Sequence, residues 1–313
     1  MFSILIPLFN KKQFVCRALD AVFGQHFKDF EVIVVDDGST DGGGNLVEGQ
    51  YGKMVKLIRQ ENKGVSQARN KGIQEARYPY IAFLDADDYW HPNYLSFLSR
   101  VIEENPEVGI IGCHYDPIQL ENEPKLSYFR LENYFKDAVY NTRFFTSATC
   151  IKKEFFEIQP GFDPDLRLGE DIDVWLRASL YFGDGIYIQN TLVYYSQEDS
   201  SGATGKSYSL DQTLIPKLLG QKYFSDSIGA STCTMETFIK FQSKWVYLNL
   251  FPHFVRNHII IKEVLSRIPR KYFFIHTFYA LPSSWMKVFF SKKKLSSLFR
   301  NYIKFCFRYI YTS

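Results

Sequence analysis

Apolar positions in the first 113 residues follow two rhythms. Phe2–Pro7, Val55–Ile58, Tyr80–Leu84 and Val108–Cys113 are short, nearly unbroken apolar runs, and Glu31–Val35 is a β-branched one. Such runs predict strands buried on both faces. Between them the spacing turns helical. Phe14, Val15, Ala18, Leu19, Val22 and Phe23 share one helix face, with Asn10 placed to cap that helix and Gly24 to end it. A second helix is predicted over Ser66–Ala76, and a third from Pro92, in its first turn, to about Glu104. Alternating strand and helix predict an α/β fold with a parallel, doubly wound sheet. Ligands of such sheets bind beyond the carboxyl ends of the strands.

The rhythm then weakens. Residues 114–148 read as an irregular polar insertion or acceptor-side segment, and Thr146–Ile151 resumes a strand. Leu168–Tyr181 opens with Gly169-Glu170-Asp171 and continues with Ile172, Trp175, Leu176 and Ser179 at helical spacing. Ser196–Ser209, rich in Ser, Gly and acid, reads as a flexible loop; Gly42-Gly43-Gly44 reads as a flexible turn. Beyond Lys206 the pattern is helical. The expected division is a catalytic-type domain over 1–205 and a helical region over 206–313.

Charge sharpens that division. Residues 244–313 carry 13 Lys/Arg against the single acid Glu263, together with 18 aromatic residues. The residues before them are net acidic. Cysteine usage excludes several classes. The five cysteines (16, 113, 150, 233 and 306) are scattered without a CxxC pair, which argues against a zinc ribbon, a thioredoxin-type motif and a disulfide scaffold. Small buried thiols are expected instead. Pro7 and Asn10 interrupt the first apolar run too early for a signal peptide, and no run of about 18 apolar residues predicts a spanning helix. A cytoplasmic protein is expected.

Two acidic clusters follow predicted strands directly: Asp36-Asp37-Gly38-Ser39-Thr40-Asp41 and Asp85-Ala86-Asp87-Asp88. Asp41 and Asp88 read as solvated or helix-capping carboxylates. Asp85 and Asp87 invite another reading. Two positions apart on an extended strand, they would face one crevice and repel each other unless a cation joined them. Mg²⁺ or Mn²⁺, held by one or two carboxylates plus phosphate oxygens, would resolve the repulsion.

The wider pattern resembles the inverting glycosyltransferases of family 2, which have the GT-A fold, a Rossmann-like, mostly parallel sheet flanked by helices. The residues carrying the resemblance are Ile6-Pro7-Leu8-Phe9-Asn10, Val35 to Asp41, Asn62 to Gly72 (NKGVSQARNKG), Asp85-Ala86-Asp87-Asp88 and Gly169-Glu170-Asp171, in the family's order over about residues 1–200. The resemblance implies a nucleotide-diphosphate sugar donor, a UDP-sugar by expectation. Pro7 and Phe9 would line the base pocket, Asp37 would contact the base, Arg69 the nucleotide or its phosphates, and Asp85 the ribose or the metal. Asn62 and Gly64 would shape the loop. Asp87 would be the direct metal ligand. Asp171 would be the catalytic base, removing the acceptor proton, with Glu170 orienting it or binding the acceptor. Without the upstream motifs, Glu170 and Asp171 would read only as a first helical turn suited to the helix dipole. One departure stands out. Many relatives carry a His soon after the last strand of this domain, whereas Tyr194-Tyr195-Ser196-Gln197-Glu198-Asp199 has none. Glu198 or Asp199 would have to serve as an oxygen ligand instead.

The basic, aromatic tail suits an interface helix on an anionic membrane; the alternative is a helical subdomain with solvated charges. A membrane surface would also fit a glycan or polyprenol-linked acceptor in bacterial surface polysaccharide (O-antigen or capsule) assembly. No motif supports nucleic acid as a partner. Two rival functions remain at this level: a non-catalytic module that binds sugar nucleotide or membrane, and a nucleotidyltransferase, which would need a glycine-rich basic amino-terminal loop that is absent.

Overall fold

The computed structural model describes residues 1–198, 208–220, 222–254 and 258–312. The chain divides into two compact units. One comprises Met1–Tyr134, Thr142–Lys206 and Ser227–Ser231; the other comprises Phe135–Asn141, Ser207–Asp226 and Thr232–Ser313.

The first unit opens with β1 (Phe2–Leu8), α1 (Lys12–Phe23), β2 (Phe30–Asp36), α2 (Gly43–Tyr51), β3 (Lys56–Arg59), α3 (Val65–Glu75) and β4 (Tyr80–Phe83). It continues with β5 (Tyr89–Trp90), α4 (Tyr94–Glu104), β6 (Ile110–Asp116), β7 (Tyr128–Arg130), α5 (Tyr134–Asp137), which runs into the other unit, β8 (Thr149–Lys152), α6 (Phe155–Ile158), α7 (Glu170–Phe182) and β9 (Ile186–Tyr194). Among the described residues these nine strands form one sheet in the order β3-β2-β1-β4-β8-β6-β9-β5, with β7 also on β9. The β3-β2-β1-β4 half is parallel, as the alternation predicts. The other half is mixed. β8 runs antiparallel to both β4 and β6, while β6 and β9 are parallel. Burial explains the continuous apolar runs: Ile4, Ile6, Val32, Val34 and Ala82 pack on one core with Val15, Leu19 and Leu98 of the covering helices.

Pro7 lies on the central strand β1, where a missing N–H would ordinarily break a ladder. Leu5 accepts from Leu84 N on the β4 side, and backbone groups alternate sides along a strand. The Pro7 nitrogen therefore faces that same side, past the end of the β4 ladder at Leu5↔Phe83. No ladder donor is lost there.

Several local expectations are corrected. Asn10 does not cap α1. It sits at φ +52, and its Oδ1 accepts from Thr40 N (2.8 Å), tying the loop after β1 to the loop after β2. Asp41 serves the helices instead. One oxygen accepts from Lys12 N and the other from Gly43 N, both at 2.8 Å, so one carboxylate meets the first residues of α1 and α2. Gly42-Gly43-Gly44 is not a flexible turn: α2 starts at Gly43. A Cβ at Gly44 would lie 2.0 Å from Asp36 Oδ2, so bare backbone is required for α2 to approach the end of β2. Gly44→Ala is expected to cost about 1–3 kcal/mol by overpacking. Gly49→Ala, in the same helix with nothing within 4 Å of the added Cβ, should instead gain up to ~1 kcal/mol. Urea denaturation of both variants checks the pair; equal shifts would refute the close-approach argument. Thr146–Ala148 is a 3₁₀ turn before β8 rather than the start of the strand.

The second unit continues the helix count with α8 (Leu214–Leu218), α9 (Tyr223–Ser227), which ends in the first unit, α10 (Met235–Leu250), α11 (His258–Arg267), α12 (Phe273–Tyr279), α13 (Ser283–Ser291) and α14 (Lys293–Phe305). Thr234 caps α10 by accepting from Thr237 N at 3.2 Å. The tail aromatics divide into two populations. Phe251, Phe254, Phe290 and Phe299 are buried against one another, with Phe290 and Phe299 ring centroids 5.1 Å apart. Phe273, Trp285 and Tyr309 are each about two-thirds exposed. No helix among the described residues is long and apolar enough to cross a membrane.

Candidate active site

Several of the sequence motifs converge where the carboxyl ends of β1, β2 and β4 meet the start of α7. Arg69, on the inward face of α3, is the centre of the cluster. It is 4% exposed; Nη2 donates to Asp85 Oδ1 (2.9 Å) and Nη1 to Glu170 Oε1 (3.3 Å). Its guanidinium also lies 5.1 Å from the centre of the Phe162 ring. Burial opposes the charge, but Asp85 and Glu170 outweigh it, and the net effect raises the Arg69 pKa. One buried cation thus joins two motifs 85 residues apart in sequence.

The next residue of the same motif holds the surrounding loop. Asn70 Nδ2 donates to the Phe162 carbonyl (2.7 Å), and Phe162 N donates back to Asn70 Oδ1 (2.8 Å). From the other side, Arg177 donates to the Pro160 and Gly161 carbonyls while paired with fully buried Asp173. Residues 160–162, in the segment leading to α7, are therefore held by both Asn70 and Arg177. Gly169, at φ +86, makes the turn into the helix, a conformation that a Cβ disfavours.

Glu170 and Asp171 occupy the first turn of α7, where the helix dipole favours carboxylates. Asp171 Oδ1 accepts from Ile172 N (2.7 Å) and Oδ2 from Thr146 Oγ1 (3.2 Å). Burial nevertheless dominates at both acids. It raises the pKa of Asp171 against the opposing pull of Arg69, and it raises that of Glu170 together with the neighbouring Asp171 charge. A carboxylate so placed holds a proton more readily than a solvated one, as a general base working near neutral pH requires.

The Asp85–Asp88 segment differs from expectation. It is a turn, closed by Asp88 N donating to the Asp85 carbonyl (3.0 Å), because the β4 ladder ends just before it. Strand alternation therefore does not bring Asp85 and Asp87 to one face. They have separate partners: Asp85 takes Arg69, and Asp87 takes Lys11 Nζ. Asp88 is neither solvated nor a helix cap. It is 2% exposed, accepts from Ser147 Oγ (2.5 Å) and Ser196 N (2.8 Å), and burial pushes its pKa up to about 8.

Asp37 is almost fully buried and accepts from Gln60 Nε2 (2.7 Å), Lys63 N (2.9 Å) and Gly64 N (2.8 Å). It anchors the loop that leads into α3. Asn62 belongs to that loop: a Cβ on Gly38 would lie 2.8 Å from its backbone nitrogen. Phe9, at the end of β1, is 46% exposed, and Pro7 lies two residues before it.

Glu198 ends on Arg17 Nη1 at 2.8 Å, and Nη2 of the same arginine donates to the Asp87 carbonyl at 2.9 Å. Asp199 lies outside the described residues. Among the described residues no three His, Cys, Asp or Glu side chains form a metal-binding group. Asp85 and Asp87 remain oxygen donors of the kind a hard divalent ion takes. Both are partly accessible, at 31% and 18%, and both already face cations. The donor set fits an ion that completes its coordination with phosphate oxygens and water.

Sequence reasoning missed Ser147, Thr146, Lys11 and Arg17. Ser147 is the most connected of them: its Oγ donates to Asp88 and accepts from Asp85 N (3.1 Å), and its carbonyl accepts from Trp90 Nε1 (2.7 Å). Nothing in the local sequence marks it. Lys11 carried a signal, a base directly after the first motif.

The sheet and its flanking helices define a GT-A-type fold, and the comparisons agree. The glycosyl transferase family 2 model matches residues 3–156, and that of glycosyl transferase family group 2 matches residues 80–312. The chain belongs to glycosyltransferase family 2. The uncharacterized glycosyltransferase EpsJ of Bacillus subtilis (strain 168) is 34% identical over 194 residues, 57% of this chain and 56% of that protein. The chain thus spans about half the length of this curated relative. Among solved structures, S. aureus TarS 1–349 in complex with UDP-GlcNAc superposes with a TM-score of 0.66 at 16% identity, covering 98% of this chain and 91% of that one. The mannosyltransferase PcManGT from Pyrobaculum calidifontis, in complex with GDP-Man and Mn²⁺, gives 0.56 at 17% identity, covering 96% and 84%. These two likenesses concern the fold.

Proposed function

We propose that this chain transfers a sugar, with inversion, from a nucleoside-diphosphate sugar to a hydroxyl of a glycan or lipid-linked acceptor. The observation that carries the reading is Arg69, which ties the Asp85 acid of the turn after β4 to the Glu170 acid at the start of α7. Donor-side and acceptor-side carboxylates then share one cluster. In this reading Asp171 accepts the acceptor hydroxyl proton as that oxygen attacks the anomeric carbon. The bond from that carbon to the diphosphate oxygen breaks, and the nucleoside diphosphate departs. Glu170, held by Arg69, orients the acceptor side. Phe9 offers its exposed ring to the base and Pro7 lines the same pocket. Asp37 keeps about one of its roughly four acceptor positions for the base, the other three being occupied within the loop.

Asp85 and Asp87 would hold Mn²⁺ or Mg²⁺, with the Arg17-bound Glu198 as a further candidate. When bound, such an ion supplies positive charge opposite the leaving diphosphate. Lys11 and Arg69 contribute fixed positive charge beside the same two acids. A UDP-sugar is the favoured donor, a reading supported by UDP-GlcNAc in TarS; GDP-Man in PcManGT makes the GDP-sugars the comparison to run. Nucleoside diphosphate release from UDP-, GDP- and dTDP-sugars with Mn²⁺ or Mg²⁺ tests this. One donor should be hydrolysed slowly and EDTA should abolish it. Undiminished release in EDTA would refute the metal assignment, and pyrophosphate as product would indicate nucleotidyl transfer.

The acceptor is proposed to be lipid-linked, in bacterial surface polysaccharide assembly, with the second unit resting peripherally on the inner face of an anionic membrane. Support comes from its excess of bases and from the exposed Phe273, Trp285 and Val288. Phosphatidylglycerol vesicles should sediment the protein, and Phe273→Ser with Trp285→Ser should weaken this at least several-fold. Equal sedimentation of the variant would discard the membrane reading.

A further inference from the structure

Along the sheet the strands run β1, β4, β8, β6, β9, and the carboxyl ends of β1, β4, β6 and β9 share one edge with the amino end of β8. Phe9 follows β1, Asp85 lies in the turn after β4, and Thr146, which donates to Asp171, lies in the turn before β8. The positions that come next along this edge are aromatic. Tyr115 is the penultimate residue of β6, Tyr195 directly follows β9, and Phe145 directly precedes Thr146.

The three rings pack as one cluster. Tyr115 and Phe145 are stacked with centroids 4.4 Å apart, and Tyr195 meets both edge-on, 5.0 Å from Phe145 and 6.0 Å from Tyr115. Phe145 lies against one face of Tyr115, yet Tyr115 keeps 38% of its surface exposed. The β6–β9 register shifts on both sides of His114, an irregularity of the kind that re-aims side chains beside active sites. Tyr195 N donates to the Asp116 carbonyl (3.1 Å), and Ser196 N donates to Asp88 (2.8 Å), so the backbone under the cluster is tied to the β4 turn. Burial raises the Tyr115 pKa, and the Tyr195 and Asp171 groups add to that rise; the Asp171 carboxylate is within electrostatic reach of the Tyr115 hydroxyl.

We propose that this cluster is the acceptor subsite, where Tyr115 stacks against the ring of a sugar whose hydroxyl is presented to Asp171. The assignment rests on the transferase reading and narrows it: the reacting end of the acceptor is a saccharide. The face of an aromatic ring is its negative side. A pyranose offers that face a patch of weakly positive C–H groups and keeps its hydroxyls at the rim. A phosphate as the reacting end would instead bring negative charge against Asp171 and Glu170. Position separates the subsite from the base pocket. The end of β6 lies three strands from the end of β1, about 14 Å at ordinary strand spacing, with the Asp85 turn and Thr146 between them. Attack with inversion needs such a separation, because the hydroxyl must approach opposite the leaving diphosphate.

Saturation-transfer NMR on the full chain tests this, with the methyl glycosides of glucose, galactose, mannose, rhamnose and N-acetylglucosamine as probes. At least one should receive saturation at its ring C–H protons, and neither uridine diphosphate nor guanosine diphosphate should displace it. Tyr115→Leu, which keeps apolar bulk without a ring, should weaken that glycoside about fivefold or more, the scale of one aromatic stacking contact, whereas Tyr115→Phe should stay within about twofold of the parent. If the leucine variant fails to fold, 3-fluorotyrosine at position 115 should show a fluorine shift when that glycoside is added. Binding by none of the glycosides, displacement by either nucleotide, equal binding by the folded leucine variant, or an unshifted fluorine resonance would overturn the subsite. The two readings fail separately. Donor hydrolysis without glycoside binding would remove the subsite and leave the transferase reading standing; glycoside bound at Tyr115 with no turnover of any donor would count against the transferase reading itself.

Discussion

Asp171→Asn is expected to lower the turnover rate by about 10²- to 10⁴-fold, the range spanned by a positioned general base, while donor affinity stays within about twofold. Asn keeps the shape: its Oδ1 can still accept from Ile172 N, and its Nδ2 can donate to Thr146 Oγ1 in place of the bond Asp171 accepts there, so the fold should not change. Stopped-turnover assays paired with donor titration check the split. Wild-type rates in the variant would remove Asp171 from the chemistry. The pH profile adds a second readout. The working form of a base is the carboxylate, and burial raises the Asp171 pKa. The acid limb of the turnover profile should therefore lie above the usual aspartate value, with rate lost as pH falls through it. A limb at the value of a solvated aspartate would contradict the burial argument.

Arg69→Met should be the most destabilising single change in the site. It removes the buried cation and leaves Asp85, Glu170 and Asp171 facing one another. Breaking a buried pair from one side costs about 3–5 kcal/mol. The lower end applies here, since Asp85 and Glu170 keep 31% and 19% of their side-chain exposure. Arg69 is also the charge that most opposes the raised pKa of Asp171. Its loss should move the acid limb of any residual activity to still higher pH. Urea denaturation and a pH profile measure the two effects. Arg69→Lys should recover part of the stability but not the paired contact to both acids, because an ammonium lacks the fork geometry. A stability change below about 1 kcal/mol for Arg69→Met, the scale of a surface pair, would mean that solvent already screens the cluster.

Much of the first unit was legible in the chain because its information is local. A strand buried on both faces must be apolar throughout, and a helix lying on a sheet must be apolar every three or four residues. Phe2–Leu8 and the stripe from Phe14 to Phe23 obey those constraints, and their elements fall within a residue or two of the expected limits. Where the sequence misled, a distant partner had decided the outcome. Asn10 looks like a cap, but its side chain is drawn to Thr40, thirty residues on. The triple glycine looks flexible until Asp36 is seen to fill the space a side chain would need. Asp88 looks like a surface acid, yet it is buried and accepts from Ser147 and Ser196, neither near it in sequence.

The sequence alone determined the alternation of strand and helix, the parallel half of the sheet, the family resemblance and the polarity of the two regions. Each is written in spacing, composition or a short motif. The tertiary structure decided the antiparallel insertion of β8, the turn that separates Asp85 from Asp87, the partition of tail aromatics between core and surface, and the meeting of Arg69 with both Asp85 and Glu170. Those outcomes depend on which distant groups come within a few ångströms, where desolvation and charge pairing are strong enough to override local preference.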